Sequence, residues 1–402
     1  MSSVKKYAFM IAAAVFETVA LPLLVLLALY VRVFHAKKIA SKSLFMGMMH
    51  INNLVYVAKA MRDRGYDAVF IPWMIPAHEV DVIAYDVNLG RRFPKLNNFI
   101  GLYLLSYGVF AWSLFRFRNY LTPFKARIFD RTVLLKWVEI PLLHLAGKKV
   151  ILNTFGGDVA TPRLKRRADL KFSLYDGYIQ DPNYISYDER AIATNRRVLE
   201  KQADFIISAI DHVDYMDRVD AYFHLRCMDT DMIRPNYSND NAVPVLIHAP
   251  NHRQLKGTEQ IIAAVDNLNR RGIPCVLKIV ENTSNAELMT MIEGADAVVD
   301  QLILGAYARL AIEAMALGKP VLCYMREDLY QYNPIWKDCP IINVNPDTIE
   351  KQLEMFLKMS PQERLDLGKR SRAYIEKYHS LDYVGGRLDG IIQSLDKRAV
   401  RA

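Results

Sequence analysis

The chain has 402 residues, of which 52% are hydrophobic and 24% charged, with four cysteines, 18 glycines and 17 prolines. That balance excludes a disordered, collagen-like or disulfide-stapled protein, because such chains are poor in apolar residues, glycine-periodic or cysteine-dense. The formal net charge is +9, and all of the excess lies early: residues 1–130 hold 16 Lys+Arg against 7 Asp+Glu, the remainder 36 of each.

The first predicted element is a membrane helix. Residues 7–31 carry one charge, Glu17. A helix of that length measures about 37 Å, against about 30 Å for a hydrocarbon core. Lys5 and Lys6 precede it, and Arg32, Lys37, Lys38 and Lys42 follow. The heavier flank is C-terminal, which predicts a chain body on the cytoplasmic face of a cell membrane. No small-residue cleavage site follows, so a removable signal peptide is not expected. A full span is the leading expectation. Glu17 and Pro22 keep open a helix lying in one leaflet, or a buried soluble helix. A second apolar stretch, residues 99–117, is expected to be a buried helix passing into a strand near 114–120.

From residue 43 short apolar runs alternate with amphipathic stretches. Strands are predicted at 43–48, 67–73, 148–155 and 204–210, with a helix at 52–64 stopped by Gly65. The scheme then repeats: strands at 243–250, 275–281, 297–302 and 320–325, and helices at 258–271, 285–293 and 310–317. Two amphipathic helices, 361–377 and 381–395, close the chain. Such alternation predicts two doubly wound α/β domains with parallel sheets. The polar stretch 226–241, with Pro235 and no periodicity, marks the boundary. The expected divisions are an anchor at 1–40, one domain at 41–230, a second at 231–380, and a C-terminal helix at 381–402 that could pack back on the first. Cys227, Cys275, Cys323 and Cys339 show no C-x-x-C spacing, so no metal site is expected. No nucleic-acid module interleaves the basic residues with aromatics; an anionic membrane surface accounts better for the early positive charge.

Ligands of doubly wound domains bind at the carboxyl ends of the strands, so strand-end residues are the candidates. After residue 248 come Arg253, Lys256 and Gly257 at a helix start, a set suited to a diphosphate; a solvated basic turn is the alternative. After residue 299 come Asp300, Gly305, Ala306 and Tyr307, then a helix bearing Glu313 among Ile312, Ala314, Met315 and Ala316. A carboxylate there needs a partner: a ribose diol, or a nearby Arg or Lys. In the first half, Gly156 and Gly157 permit close backbone approach to a ligand, and Asp158 either acts on it or caps a helix. Gly47 and His50 follow the first strand. His50 and His248 are weighed against ordinary packed or surface histidines.

Taken together, these segments resemble the GT-B glycosyltransferases of family four, the retaining, glycogen-synthase-like group. The match covers roughly residues 43–390. HAPNHRQLKGTEQII looks like the family's diphosphate loop, and ADAVVDQLILGAYARLAIEAMALGKPV like the donor signature of a surface-polysaccharide subgroup. FGGDV resembles its His-Gly-Ser/Thr-Asp turn, ADFIISA its closing strand and MDTDMIRP its interdomain segment. The resemblance implies two facing Rossmann-like domains, with a nucleotide-sugar on the second and an acceptor on the first. Arg253, Lys256 and Gly257 would hold the diphosphate and Glu313 the ribose. Gly305, Ala306, Tyr307 and Asp300 would face the donor sugar and phosphate. Gly47, Gly156 and Gly157 fall on the acceptor side, with Asp158 and His50 as catalytic candidates. No metal and no cofactor are implied, since cations and backbone N–H groups stabilise the departing diphosphate.

Three positions depart from the family pattern. Gly305 stands where a first Glu is common, though the closer subgroup also has Gly; Ala308 replaces a usual Gly; Phe155 replaces the turn His. The reading is a membrane-attached retaining hexosyltransferase acting on a lipid-linked or membrane glycan acceptor, in polysaccharide or glycolipid synthesis. The rivals are a catalytically silent paralogue serving as partner subunit, and a nucleotide-sugar 2-epimerase-like isomerase.

Overall fold

A computed structural model describes residues 3–48, 53–72, 89–178, 188–237 and 241–401. The first sheet holds β1 (Ser43–Met48), β2 (Asp67–Pro72), β3 (Asn119–Pro123), β4 (Lys149–Asn153), β5 (Phe205–Ser208) and β6 (Ala221–Tyr222). Their order is β2-β1-β3-β4-β5-β6, and every pairing is parallel. All six residues of β1 are buried. Its unbroken apolar run SLFMGM is the mark of a parallel strand covered on both faces.

The second sheet holds β7 (Val245–His248), β8 (Val276–Ile279), β9 (Ala297–Val299), β10 (Val321–Cys323) and β11 (Ile342–Asn343), in the order β11-β10-β9-β7-β8, again all parallel. In both sheets the strand order reverses beside the first strand, between β1 and β3 and between β7 and β9. Crevices for ligands open at such switch points.

Eleven longer helices accompany the sheets among the described residues: α1 (Ser3–Tyr30), α2 (Asn53–Arg62), α3 (Phe99–Arg116), α4 (Leu135–Leu145), α5 (Glu189–Gln202), α6 (Thr258–Arg270), α7 (Asn285–Glu293), α8 (Arg309–Ala316), α9 (Ile349–Leu357), α10 (Pro361–Tyr378) and α11 (Leu381–Arg401). α7 and α10 begin on capping boxes, Ser284 with Glu287 and Ser360 with Glu363. One face of the first sheet packs Phe45, Phe117, Tyr120 and Leu152 with Leu24 and Ala28 of α1 and with Val31 just after it. The other face packs Leu44, Met46 and Ile151 with Val384, Leu388 and Ile392 of α11. Arg64 clasps Asp382 at 2.5 Å, and the Tyr66 hydroxyl donates to Asp389 at 2.6 Å. The last helix therefore covers the first domain, not the second.

Several elements differ from the sequence reading. α3 runs on to Arg116 and the strand starts only at Asn119, so the strand expected near 114–120 is displaced. α4 went unread because Pro141 interrupts its pattern; α5 is polar, with only a thin buried stripe that includes Ala193, Arg196 and Leu199. β6 and β11 are two residues each, too short to show a period. α1 and α3 are both long and apolar enough to cross a membrane, with mean hydropathy 2.3 for Tyr7–Lys38 and 1.3 for Phe99–Arg116. α1, however, packs along the first domain.

Candidate active site

The β7 and β9 ends build one continuous unit. His248, at the end of β7, is fully buried; one ring nitrogen meets the Val299 carbonyl and the other the Thr258 hydroxyl, each at 2.8 Å. Burial lowers its pKa, so the ring is a neutral pin joining β7, β9 and the start of α6. The loop then makes a short turn, Arg253–Lys256, ended by Gly257 at φ 72°. A Cβ on Gly257 would meet Leu302 Cβ at 2.9 Å, so only glycine lets the two loops touch here.

Lys256 points into that contact. Its buried ammonium donates to Asp300 at 2.7 Å and to Gln301 at 2.8 Å. Asp300, wholly buried, also accepts from the Ala308 amide at 3.3 Å. Gln301 in turn donates to the Ala306 carbonyl. Arg253 lies outside, shared between Glu259 at 2.9 Å and Glu281 at 3.2 Å. Both cations expected at the diphosphate are thus engaged by carboxylates.

Glu313 sits on α8 with a side chain 5% exposed. Its Oε1 accepts from Arg309 Nε at 2.6 Å and from Asn285 Nδ2 at 3.0 Å. Oε2 has no hydrogen-bond partner among the described residues. Of the two partners expected from the sequence, the structure shows the arginine: Arg309, four residues before it on the same helix. Tyr56 of α2 faces this place from the first domain: burial raises its pKa most, Arg309 lowers it, and Glu313 and Asp229 raise it. Ala308, at the N-cap of α8, offers no capping side chain.

Tyr307 turns away from the cleft. It is 1% exposed, and its hydroxyl meets His379 Nε2 at 2.9 Å and the Tyr374 hydroxyl at 3.2 Å. Ala306 is equally buried. What this loop offers a ligand at 306 and 307 is backbone, not side chain.

Across the cleft, the β4 end forms the expected glycine turn. Asp158 Oδ1 accepts from the Phe155 and Gly156 amides, each at 2.9 Å, which closes the turn. Its Oδ2 is buried with no partner among the described residues; its pKa is raised, chiefly by burial, with His212 offsetting part of the rise. The sequence reading named Asp158 as catalytic, and its visible work is to hold the turn. Gly156, at φ 129°, lies over His212, whose Nδ1 meets Thr154 at 2.7 Å. A cavity of about 810 Å³ opens beyond Asp158, lined by Lys125, Asp130, Lys136, Trp137 and Asp188 among others. Gly157 is exposed at the turn; Gly47 is buried at the end of β1, its would-be Cβ 2.7 Å from the Phe45 ring. His50 lies outside the described residues.

No protein-family model matches this sequence, and no curated protein matches it significantly. Solved structures do. The sucrose-phosphate synthase of Thermosynechococcus elongatus matches with TM-score 0.59 at 12% identity, over 89% of this chain and 100% of that one. A glycosyltransferase of Rickettsia africae matches at 0.55 and 13%, over 88% and 98%. The Anabaena protein HepE, solved with UDP-glucose, matches at 0.53 and 11%, over 88% and 99%. The fold is GT-B.

In a GT-B frame several residues that the sequence reading missed become prominent. Asp214, from the first domain, binds both Arg167 and Arg326. Arg326, at the β10 end, also pairs with Asp328 at 2.6 Å. Its stem fills the space beside Gly305: a Cβ there would lie 2.4 Å from Arg326 Cγ, and Gly305 has φ 81°. The Arg326 stem thus packs on Gly305, while its guanidinium reaches Asp214 and ties the two GT-B domains together. His224 and His379 form a second, buried joint with Tyr307 and Trp336, and burial lowers both histidine pKa values, that of His379 to about 4. These partners come from far along the chain, with Asp214 and Arg326 112 residues apart.

Proposed function

We propose that this chain transfers a sugar from a nucleoside-diphosphate donor to a lipid-linked or membrane-bound glycan acceptor, with retention and without a metal ion. The observation that carries the reading is Glu313: a buried carboxylate on the helix after the β9 loop, one oxygen committed to Arg309 and Asn285, the other left to accept from a ribose. A ribose diol suits that oxygen, because a carboxylate accepts hydroxyl hydrogen bonds strongly. The diphosphate then falls beside the uncapped start of α8, where backbone N–H groups and the helix dipole favour an anion.

The cations complete the chemistry. Lys256 and Arg253 border the same loops, and a doubly charged diphosphate competes with Asp300, Glu259 and Glu281 for them. Charge that develops on the departing diphosphate meets preset donors, which is the role a metal plays elsewhere. Retention follows if the acceptor hydroxyl attacks from the face the diphosphate leaves. The acceptor sits on the first domain, by the Gly156–Gly157 turn and Gly47, with Asp158 and His50 the candidates to act on it. HepE has been solved with UDP-glucose, with UDP, and with UDP and glucose, so uridine nucleotides are the first donors to try.

A thermal-shift screen of nucleoside diphosphates and nucleotide-sugars tests the donor site. A ligand at a hundred times its Kd stabilises by about 2.7 kcal/mol, enough for a clear rise in Tm. No shift with any base would remove the donor assignment. A second reading, a donor-binding partner subunit without transferase activity, is favoured by Arg326 occupying the place beside Gly305. It predicts the same shifts with no turnover.

A further inference from the structure

α1 has two apolar faces. The inner one, with Ala13, Leu24 and Ala28 and continued by Val31 in the turn that follows, is buried against the first domain. On the outer one Ile11, Val15, Val19, Leu23 and Leu26 recur at helical spacing and, with Val33 just beyond the helix, are 63–68% exposed. α3 lies alongside, joined by ring contacts of Phe9 with Phe99 at 5.1 Å, Phe16 with Tyr107 at 5.5 Å, and His35 with Phe115 at 5.0 Å. It adds Ile100, Leu104 and Trp112 to the same exposed surface.

We infer that α1 does not cross a bilayer but forms, with α3, a face that lies in one leaflet of an anionic membrane, the helix axis along the membrane plane. Glu17 is the first reason. It is wholly buried in the middle of α1. It accepts from the amides of Val133 at 2.9 Å, Leu134 at 2.6 Å and Leu135 at 3.1 Å, and from the Tyr103 hydroxyl at 2.9 Å. Those amides open α4 and have no partner within that helix. A spanning α1 would strip this cap from α4 and leave a carboxylate in hydrocarbon. The second reason is length of contact. The inner face is held from Phe9 to Val31, so a crossing would carry α3 and the sheet edge into the bilayer with it.

Charge decides the occupant. Exposed Arg32, Lys37, Lys38 and Lys42 stand at one end of the strip, and Arg92 and Lys95 just before α3. Such a basic collar around an apolar strip suits anionic head groups, whereas the core of a protein interface is depleted of lysine. Tyr7, Tyr30 and Trp112 supply the amphipathic rings that settle at a membrane surface. Beside the strip opens a cavity of about 440 Å³, bounded by apolar Ile71, Leu89, Phe93 and Leu105 and by the cations Arg92 and Arg116. This inference concerns how the chain meets lipid and stands apart from the sugar chemistry above.

Flotation of the full-length protein with phosphatidylcholine vesicles, with and without phosphatidylglycerol, tests it. The protein should float with the anionic vesicles and do so less as salt rises. The triple variant Ile11→Glu, Val19→Glu, Leu26→Glu should partition at least about tenfold less at unchanged Tm, since these side chains are outward. In sealed membrane vesicles from expressing cells, epitope tags at the two termini should be digested by protease from the same side. Tags digested from opposite sides, flotation unaffected by the triple variant, equal flotation with neutral and anionic vesicles, or a stable dimer that binds no vesicle would each overturn the inference.

Discussion

Replacing Glu313 by Gln separates the two jobs the structure gives this carboxylate. In the variant the amide oxygen can keep the bonds from Arg309 and Asn285, which both fall on Oε1 in the native chain. The amide NH2 then stands where Oε2 was and can no longer accept from a ribose hydroxyl. A hydrogen bond to a charged group is worth about 1.5–3 kcal/mol, and the NH2 recovers part of that by donating to a ribose oxygen. The net loss is about 1.4 kcal/mol, a tenfold fall in affinity. Stability should barely change, because the amide oxygen keeps both hydrogen bonds and the Arg309 side chain, 32% exposed, stays solvated without its counter-charge. Calorimetry with UDP and with its 2′,3′-dideoxy analogue, on the native chain and on Glu313→Gln and Glu313→Ala, measures the coupling. The native chain should lose affinity for the dideoxy ligand; Glu313→Ala should show little further loss. Additive losses would mean that Glu313 does not touch the ribose, and the donor site drawn here would have to move.

Other outcomes follow from the same geometry. Lys256→Ala should lower stability by about 3–5 kcal/mol, because it abandons buried Asp300; the double variant Lys256→Met, Asp300→Asn should recover much of the melting temperature but not diphosphate affinity, read by thermal melts and calorimetry. Gly305→Ala should cost about 2 kcal/mol, since its Cβ must displace Arg326 at a positive φ, and denaturant midpoints will show it; an unchanged midpoint would contradict the tie between Arg326 and Asp214. His379 is held neutral when folded, its pKa lowered by burial from 6.5 to about 4. Its share of stability is therefore complete above pH 6.5 and is lost as pH falls from 6.5 to about 4, by about 3 kcal/mol at most. Acid melts of His379→Asn should show a shallower slope across that window than the native chain.

Much of the scaffold was legible because local chemistry and tertiary role agree. α7 occupies Asn285–Glu293 as read, its start written by Ser284 and Glu287. The β7, β9 and β10 runs are apolar and short, and Gly257 and Gly318 mark turns at positive φ. What the sequence did not show is which groups close on one another. Lys256 and Asp300 stand 44 residues apart, Arg326 and Asp214 112 apart, and His379 and Tyr307 72 apart. Charge and hydrogen-bond partners set at such separations follow from how loops fold, not from spacing. Arg253 and Lys256 were found as cations, but their orientation toward acids was not. Glu17 gave the sharpest difference: in the sequence it interrupts an apolar run, and in the fold it caps α4.

The central claim is transfer of a sugar from a nucleotide. Full-length protein, incubated with expressing-cell membranes and a panel of radiolabelled nucleotide-sugars, should move label from one donor into the lipid or membrane-glycan fraction with release of the nucleoside diphosphate. The Lys256→Met, Asp300→Asn variant, folded but deprived of its diphosphate cation, should not. Nucleotide binding without transfer from any donor in that panel would contradict the account and leave the chain a binding subunit.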